Sequence, residues 1–321
     1  MKLRTMPMFL GVMLSAALVD CCRFPVDGTQ TWPGPFVAVS AQRESTCALE
    51  RSGALQCWGT GSVAKQPLPS NPFKKMVVGG SCGIGVHPDD TLEGWGHGCE
   101  PPPSGIFLEI GIGREGCAIN GDRDLICWAL SGATRAPADG GAPVKLPPRG
   151  NTITAGPFAK LGMGELHGCA LRSNGTIHCW GNCSATNSGS TDCPARVRPP
   201  KGQFVDISSG HDFSCVLGSD HRVQCWGEVG ALAPPATSSL AWSKLSAKHN
   251  TLCGLSLAGE VECVGEPVNW NGTHYRPPPG PFVNLAVGGR HVCALRPTGV
   301  LDCWGVDQQG QVSGTPPWPR T

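Results

Sequence analysis

The chain has 321 residues, 15% charged and 40% hydrophobic, with 25 Lys and Arg against 24 Asp and Glu for a net charge of +1. That balance excludes charge-driven disorder, and without a basic excess nucleic acid is not an expected partner. Eighteen cysteines read as a disulfide framework in an exported chain, and 45 Gly with 30 Pro call for many turns.

Met1-Lys2-Leu3-Arg4 is a short positive start, an apolar stretch runs from Met6 to about Val19, and Ser15-Ala16-Ala17 supplies small residues. Residues 1–22 therefore read as a secretory signal, too short for a comfortable membrane span. An N-terminal anchor and a lipoprotein site at Cys21 are the alternatives, the second disfavoured by Asp20. No other stretch is apolar enough to span a bilayer, so a secreted protein without stable membrane insertion is expected. Residues 23–35 are a segment able to complete the last repeat beside Gly310 to Gly314, and 36–321 form a single repeat domain.

One unit recurs seven times, opening at Phe36, Phe73, Phe107, Phe158, Phe204, Trp242 and Phe282. Its first cysteines stand at 47, 82, 117, 169, 215, 253 and 293, and six units close on Trp-Gly or a close variant. Place Cys169 opposite Cys179 on antiparallel strands and Leu171 faces Ile177. The same register pairs Leu49 with Leu55, Ile119 with Leu125, Leu217 with Val223, Leu255 with Val261 and Leu295 with Leu301. All six pairs are apolar, and a slip of one residue destroys them. A three-residue loop ending in a left-handed residue fits this spacing. Gly53, Gly175, Gly259 and Gly299 stand there, whereas Arg123 and His221 depart and predict a different turn in those two units. Each unit is an entry strand plus a tight hairpin, followed by Pro-rich connections. Three strands cannot bury both faces alone, but seven such units packed radially can. The expected fold is all-β, a disulfide-stapled seven-bladed β-propeller with short three- to four-stranded blades.

Opposed residues on antiparallel strands lie within disulfide range. The register therefore predicts Cys47–Cys57, Cys117–Cys127, Cys169–Cys179, Cys215–Cys225, Cys253–Cys263 and Cys293–Cys303. In the second unit the position opposite is Gly94, so Cys82–Cys99 is the expected substitute, and Cys183–Cys193 closes a polar loop. Cys21 and Cys22 have three open fates: removal with the signal, pairing with each other, or joining another chain. Zinc is disfavoured, because structural sites use much closer Cys spacings.

At Cys-Ala-Leu-x-x-x-Gly-x-Leu-x-Cys-Trp-Gly the chain resembles the regulator of chromosome condensation repeat superfamily, in its secreted, cysteine-rich branch. It is similar to Crinkly-type receptor ectodomains and to secreted propeller-type β-lactamase inhibitors. The resemblance covers residues 36 to 312 and implies a seven-bladed propeller used as a binding platform. The Gly-Gln-Leu-Gly segment of the superfamily survives only as Gly310-Gln311-Val312. The exchange-factor activity of nuclear members is not carried over to an exported, charge-neutral chain.

His167, His211, His249 and His291 precede the second strand of their blades, where a structural bond between blades is the expected role. Trp58, Trp95, Trp128, Trp180, Trp226 and Trp304 read as blade packing. No phosphate loop, dinucleotide fingerprint or nucleophile elbow is present, so no cofactor, metal or catalysis is expected. Asn174, Asn182 and Asn271 begin glycosylation sequons. Binding is expected on loops that vary between blades, Gly189 to Pro199 and Pro267 to Arg276, the second carrying Trp270, His274 and Tyr275. The expected function is non-catalytic recognition of a protein or glycan partner by a monomer. An extracellular hydrolase or lyase, with acidic or His residues converging in the channel, and an inhibitor of a secreted enzyme are the alternatives.

Overall fold

A computed structural model describes residues 29–130 (except 66 and 98), 152–181 (except 166), 198–229, 241–265 and 276–313. Among the described residues the sheets are seven, and in six of them the strands run in sequence order from an inner entry strand to an outer one, the seventh adding the N-terminal strand at its outer edge. Blade 1 is Phe36–Gln42, Ser45–Glu50 and Leu55–Gly59. Blade 4 is Phe158–Met163, His167–Arg172 and Ile177–Gly181, and blade 5 is Phe204–Ser209, Phe213–Gly218 and Val223–Gly227. Blade 6 is Trp242–Lys248, Thr251–Ser256 and Val261–Gly265. Blade 2 spans Lys75 to Gly96 and blade 3 Phe107 to Ala129, with Thr152–Thr154 added as a fourth strand. No helix among the described residues is long and apolar enough to cross a membrane.

The ring closes through blade 7, where the N-terminal strand Gln30–Trp32 pairs with the outer strand Leu301–Gly305. Buried Asp302 ties the two strands, accepting from Thr31 Oγ1 at 2.8 Å and from Arg296 Nε at 2.8 Å. The Gly310-Gln311-Val312 segment latches blade 7 to blade 1: the Gln311 carbonyl accepts from Thr46 Oγ1 (2.9 Å) and Trp58 Nε1 (3.0 Å). Trp32 Nε1 donates to the Val312 carbonyl at 3.1 Å.

Six blades share the hairpin register Cys47↔Cys57, Cys117↔Cys127, Cys169↔Cys179, Cys215↔Cys225, Cys253↔Cys263 and Cys293↔Cys303. All six pairs are disulfides with Cα atoms 4.0–4.1 Å apart. Blade 2 differs from its sequence alignment. Ile84, facing Gly94, holds the cysteine position, and Cys82 stands two residues earlier opposite Gly96. From there it bridges to Cys99 in the outer connection. Cys183 and Cys193 lie outside the described residues, as do Cys21 and Cys22.

The turns at Arg123 and His221 do not differ from the rest, contrary to the sequence expectation. Both residues take the left-handed conformation (φ 65° and 64°) that glycine supplies at Gly53, Gly175, Gly259 and Gly299. The carbonyl of this left-handed residue accepts the N–H of the next blade's opening aromatic. The pairs are Phe73 to Gly53, Phe107 to Asp90, Phe158 to Arg123, Phe204 to Gly175 and Phe282 to Gly259, at 2.8–2.9 Å. Phe36 to Gly299 closes the circle at 3.2 Å. At the blade 5–6 junction the His221 ring replaces this bond, its Nδ1 donating to the Trp242 carbonyl at 2.8 Å. Conformation is thus dictated by the next blade, and a side chain is accepted against its left-handed penalty.

Each inner strand exposes one edge toward its neighbour, and serines satisfy N–H groups there. Ser40 accepts from Val78 N (3.0 Å), Ser208 from Ala247 N (2.8 Å) and Ser246 from Val287 N (3.1 Å). The Trp rings pack between blades. In blades 2 to 4 they lie over Gly83, Gly116 and Gly168, where any Cβ would collide with the indole.

Replacing exposed Arg123 by Gly removes a left-handed side chain while keeping its carbonyl bond, and is expected to stabilise the fold by about 0.5–1 kcal/mol. His221→Gly loses the bond to Trp242 and is expected to gain nothing or to destabilise. Thermal melts of the two variants check this; equal shifts would contradict it.

Candidate functional site

The meander places the loop joining inner and middle strands at one end of the ring, opposite the hairpin turns. Because the inner strands line the axis, one loop-tip residue per blade is stamped around the channel mouth. In blade order it is Arg43, Gly80, Arg114, Glu165, His211, His249 and Gly289. Five of these seven are ionisable or His.

Glu165 is the hub. Its carboxylate accepts from His211 Nε2 at 3.1 Å and lies 3.4 Å from His249 Nε2 and 4.0 Å from the Arg43 guanidinium. The other His211 nitrogen, Nδ1, donates to Asp212. The hydrogen bond to Glu165 is the largest reason that the His211 pKa is raised to about 9, so this imidazolium is charged at neutral pH. That same bond holds Glu165 down at about 2, despite partial burial. Arg43 Nε donates to His249 Nε2 at 3.1 Å, which places the His249 proton on Nδ1. Burial lowers the His249 pKa, outweighing the pull of Glu165. Four blades thus converge on one ion-pair cluster, with blade 1 reaching blade 6 across 206 residues of sequence.

The cluster borders a depression of about 510 Å³ lined by Arg43, Glu44, Arg114, Glu165 and Lys248, among others. Behind it the channel, about 240 Å³, is lined by small and aliphatic residues such as Ala41, Gly111, Gly162, Ser208 and Ala286.

The four histidines divide into two pairs. His167 and His291 open the middle strands of blades 4 and 7, buried, with Nε2 on Ser214 Oγ and Thr46 Oγ1 of the next blade, each at 2.7 Å. His211 and His249 sit two residues earlier in their units and point into the mouth cluster instead. Trp270, His274, Tyr275, Asn182 and Asn271 lie outside the described residues. The strands that precede them end at Gly181 and Gly265, on the mouth side of the ring. Exposed Asn174 lies in a hairpin turn on the opposite side, its Oδ1 accepting from Thr176 N (3.1 Å) and Oγ1 (2.7 Å). Arg43, Arg114, Glu165 and Lys248 escaped the sequence reading. Aligning the units on the loop tip would have exposed them, because Arg43, Arg114 and Glu165 at the tip and Lys248 just before it break a pattern otherwise made of Gly, His and one Gln.

Residues 158–184 and 204–228, the mouth-forming blades 4 and 5, match the Regulator of chromosome condensation (RCC1) repeat. Over 172 residues, half of the chain, it is 30% identical to the Arabidopsis thaliana serine/threonine-protein kinase-like protein CCR4, and spans about 20% of that relative's length. Its fold is similar to the ectodomain of the Physcomitrella patens receptor kinase CR4 (TM-score 0.64, 20% identity, 85% of this chain and 74% of that one). The CRINKLY ectodomain of the Arabidopsis thaliana receptor kinase ACR4 matches equally (TM-score 0.64, 20% identity, 85% and 96%). Prp20p from Saccharomyces cerevisiae follows at TM-score 0.58 and 16% identity, over 85% of this chain and 83% of that one. These likenesses establish the propeller fold.

Buried His291 titrates near 4 because burial penalises its charge. The unfolded chain then binds more protons between about 6.5 and 4. Stability is expected to fall as pH drops through that window, and less steeply in His291→Gln. The His211 contribution has the opposite sign: fully present below about 6.5, it is lost as pH rises through about 9. Denaturant unfolding against pH, with imidazole NMR titration, checks both; a His211 midpoint near 6.5 would refute the cluster.

Proposed function

We propose that this protein is an extracellular recognition module that binds a protein partner through the charged mouth of its propeller. The observation that carries this reading is the convergence of Arg43, Glu165, His211 and His249 from four blades on one partly exposed cluster. Charges held in fixed geometry give an interface its specificity and association rate. A protein fits better than a glycan, because charged side chains line the described mouth while the repeated Trp residues are packed between blades. Disulfides suit an oxidising compartment, and two of the similar structures are receptor ectodomains. An inhibitor of a secreted enzyme is one form of such a module.

The converging Glu and His residues also favour a second reading, a hydrolase or lyase working at the mouth. Against it, Glu165 and His211 hold their charges at about 2 and 9, far from the near-neutral values that serve acid–base exchange. A hydrolase and lyase panel tests that reading, with loss of any detected turnover in His249→Gln as its signature.

Affinity capture from the native extracellular fluid, with reduced and alkylated protein as control, tests recognition. Intact protein is expected to capture a partner, Glu165→Arg to weaken capture at least roughly tenfold, and Asn174→Gln on the opposite side to leave it unchanged. Equal capture by the reduced sample, or by Glu165→Arg, would contradict the assignment.

A further inference from the structure

We propose that Lys248 is the seat for a carboxylate, carried by an acidic peptide segment of the partner that enters the channel mouth. The inference rests on the recognition reading and names the chemistry of its ligand.

The position just before the loop tip is Gly79, Gly113, Gly164, Gly210 and Gly288 in five blades, and Gln42 in blade 1. Packing explains the glycines: a Cβ would run into Ile112 at Gly79, the Gly164 carbonyl at Gly113 and the His291 ring at Gly288. Blade 6 places a lysine there. Lys248 is only 9% exposed. It lines both the mouth depression and the channel behind it, at the place where the two meet. Among the described residues that amine makes no hydrogen bond and no ion pair. Burial pulls its pKa down against the attraction of Glu165.

A buried ammonium without a partner is costly, and an entering anion relieves that cost. Glu165 does not fill the role, since His211 already engages it. Arg43 and Arg114 line the same depression, so an approaching acid meets further positive charge at the rim. The match is to a singly charged carboxylate. A sulfated glycan or a polyphosphate needs several unpaired cations close together, and among the described residues the floor of the mouth offers Lys248 alone.

The test uses the intact, disulfide-bonded chain and hexaglutamate as probe, with hexaglutamine, a heparin oligosaccharide and tripolyphosphate as comparison arms in calorimetry. Hexaglutamate is expected to bind and hexaglutamine not. Lys248→Met is expected to weaken hexaglutamate roughly thirtyfold, and Lys248→Arg to retain it within about threefold. A second measurement needs no variant: in the wild-type protein, hexaglutamate is expected to suppress reductive methylation of Lys248, read by peptide mass spectrometry. Undiminished binding to a folded Lys248→Met, unprotected Lys248, or binding of the sulfated or phosphate probes alone would overturn the proposal. No hexaglutamate binding to the wild-type protein, while Glu165→Arg still weakens partner capture, sinks the lysine seat and spares recognition. Protection of Lys248 with unaltered partner capture does the reverse.

Discussion

The register of the hairpin between middle and outer strands is the constraint on which this molecule depends. With the cysteines directly opposed, the turn must contain three residues and end left-handed, and the carbonyl of that last residue points at the next blade. One local choice therefore sets the disulfide, the turn and the junction between blades together. The disulfide constrains the unfolded chain by roughly 2–3 kcal/mol per hairpin. The junction bond then repeats around the circle, from Phe73 on Gly53 to Phe36 on Gly299. Consistency between local preference and global packing is what makes such a repeat foldable.

Much of this was legible in the chain. The six apolar cross-strand pairs follow from cysteine spacing alone, and the blades carry them in that register. What failed to show has physical causes. Arg123 and His221 were read as marking other turns because glycine is the usual left-handed residue, yet the docking of Phe158 and the His221–Trp242 bond impose the conformation on them. Cys82 was aligned on cysteine identity, whereas Ile84 is its structural counterpart in the core. The mouth was invisible for a deeper reason. Arg43, Glu165 and His249 stand far apart in sequence, and only closure of the ring makes them neighbours. Sequence periodicity names what repeats; the ion-pair cluster lies at a repeat position where the residues change from blade to blade.

The division of labour follows from strand direction. Inner strands end at the mouth, so variation in their loop tips changes the mouth and nothing else. His167 and His291, two positions along, are committed to Ser214 and Thr46 and hold blades together. His211 and His249, displaced into the tips, are released from that duty and join Glu165. A scaffold pinned by backbone bonds and disulfides can keep an ion-pair cluster in fixed geometry, the preorganisation that the proposed recognition role would call on.

The most direct test of the account is the disulfide map of the unreduced, proteolysed protein by mass spectrometry. The account requires Cys47 with Cys57 and Cys117 with Cys127, and likewise a within-blade partner for Cys169, Cys215, Cys253 and Cys293. Free thiols at these positions, or bridges joining different blades, would contradict the hairpin register and the propeller built upon it.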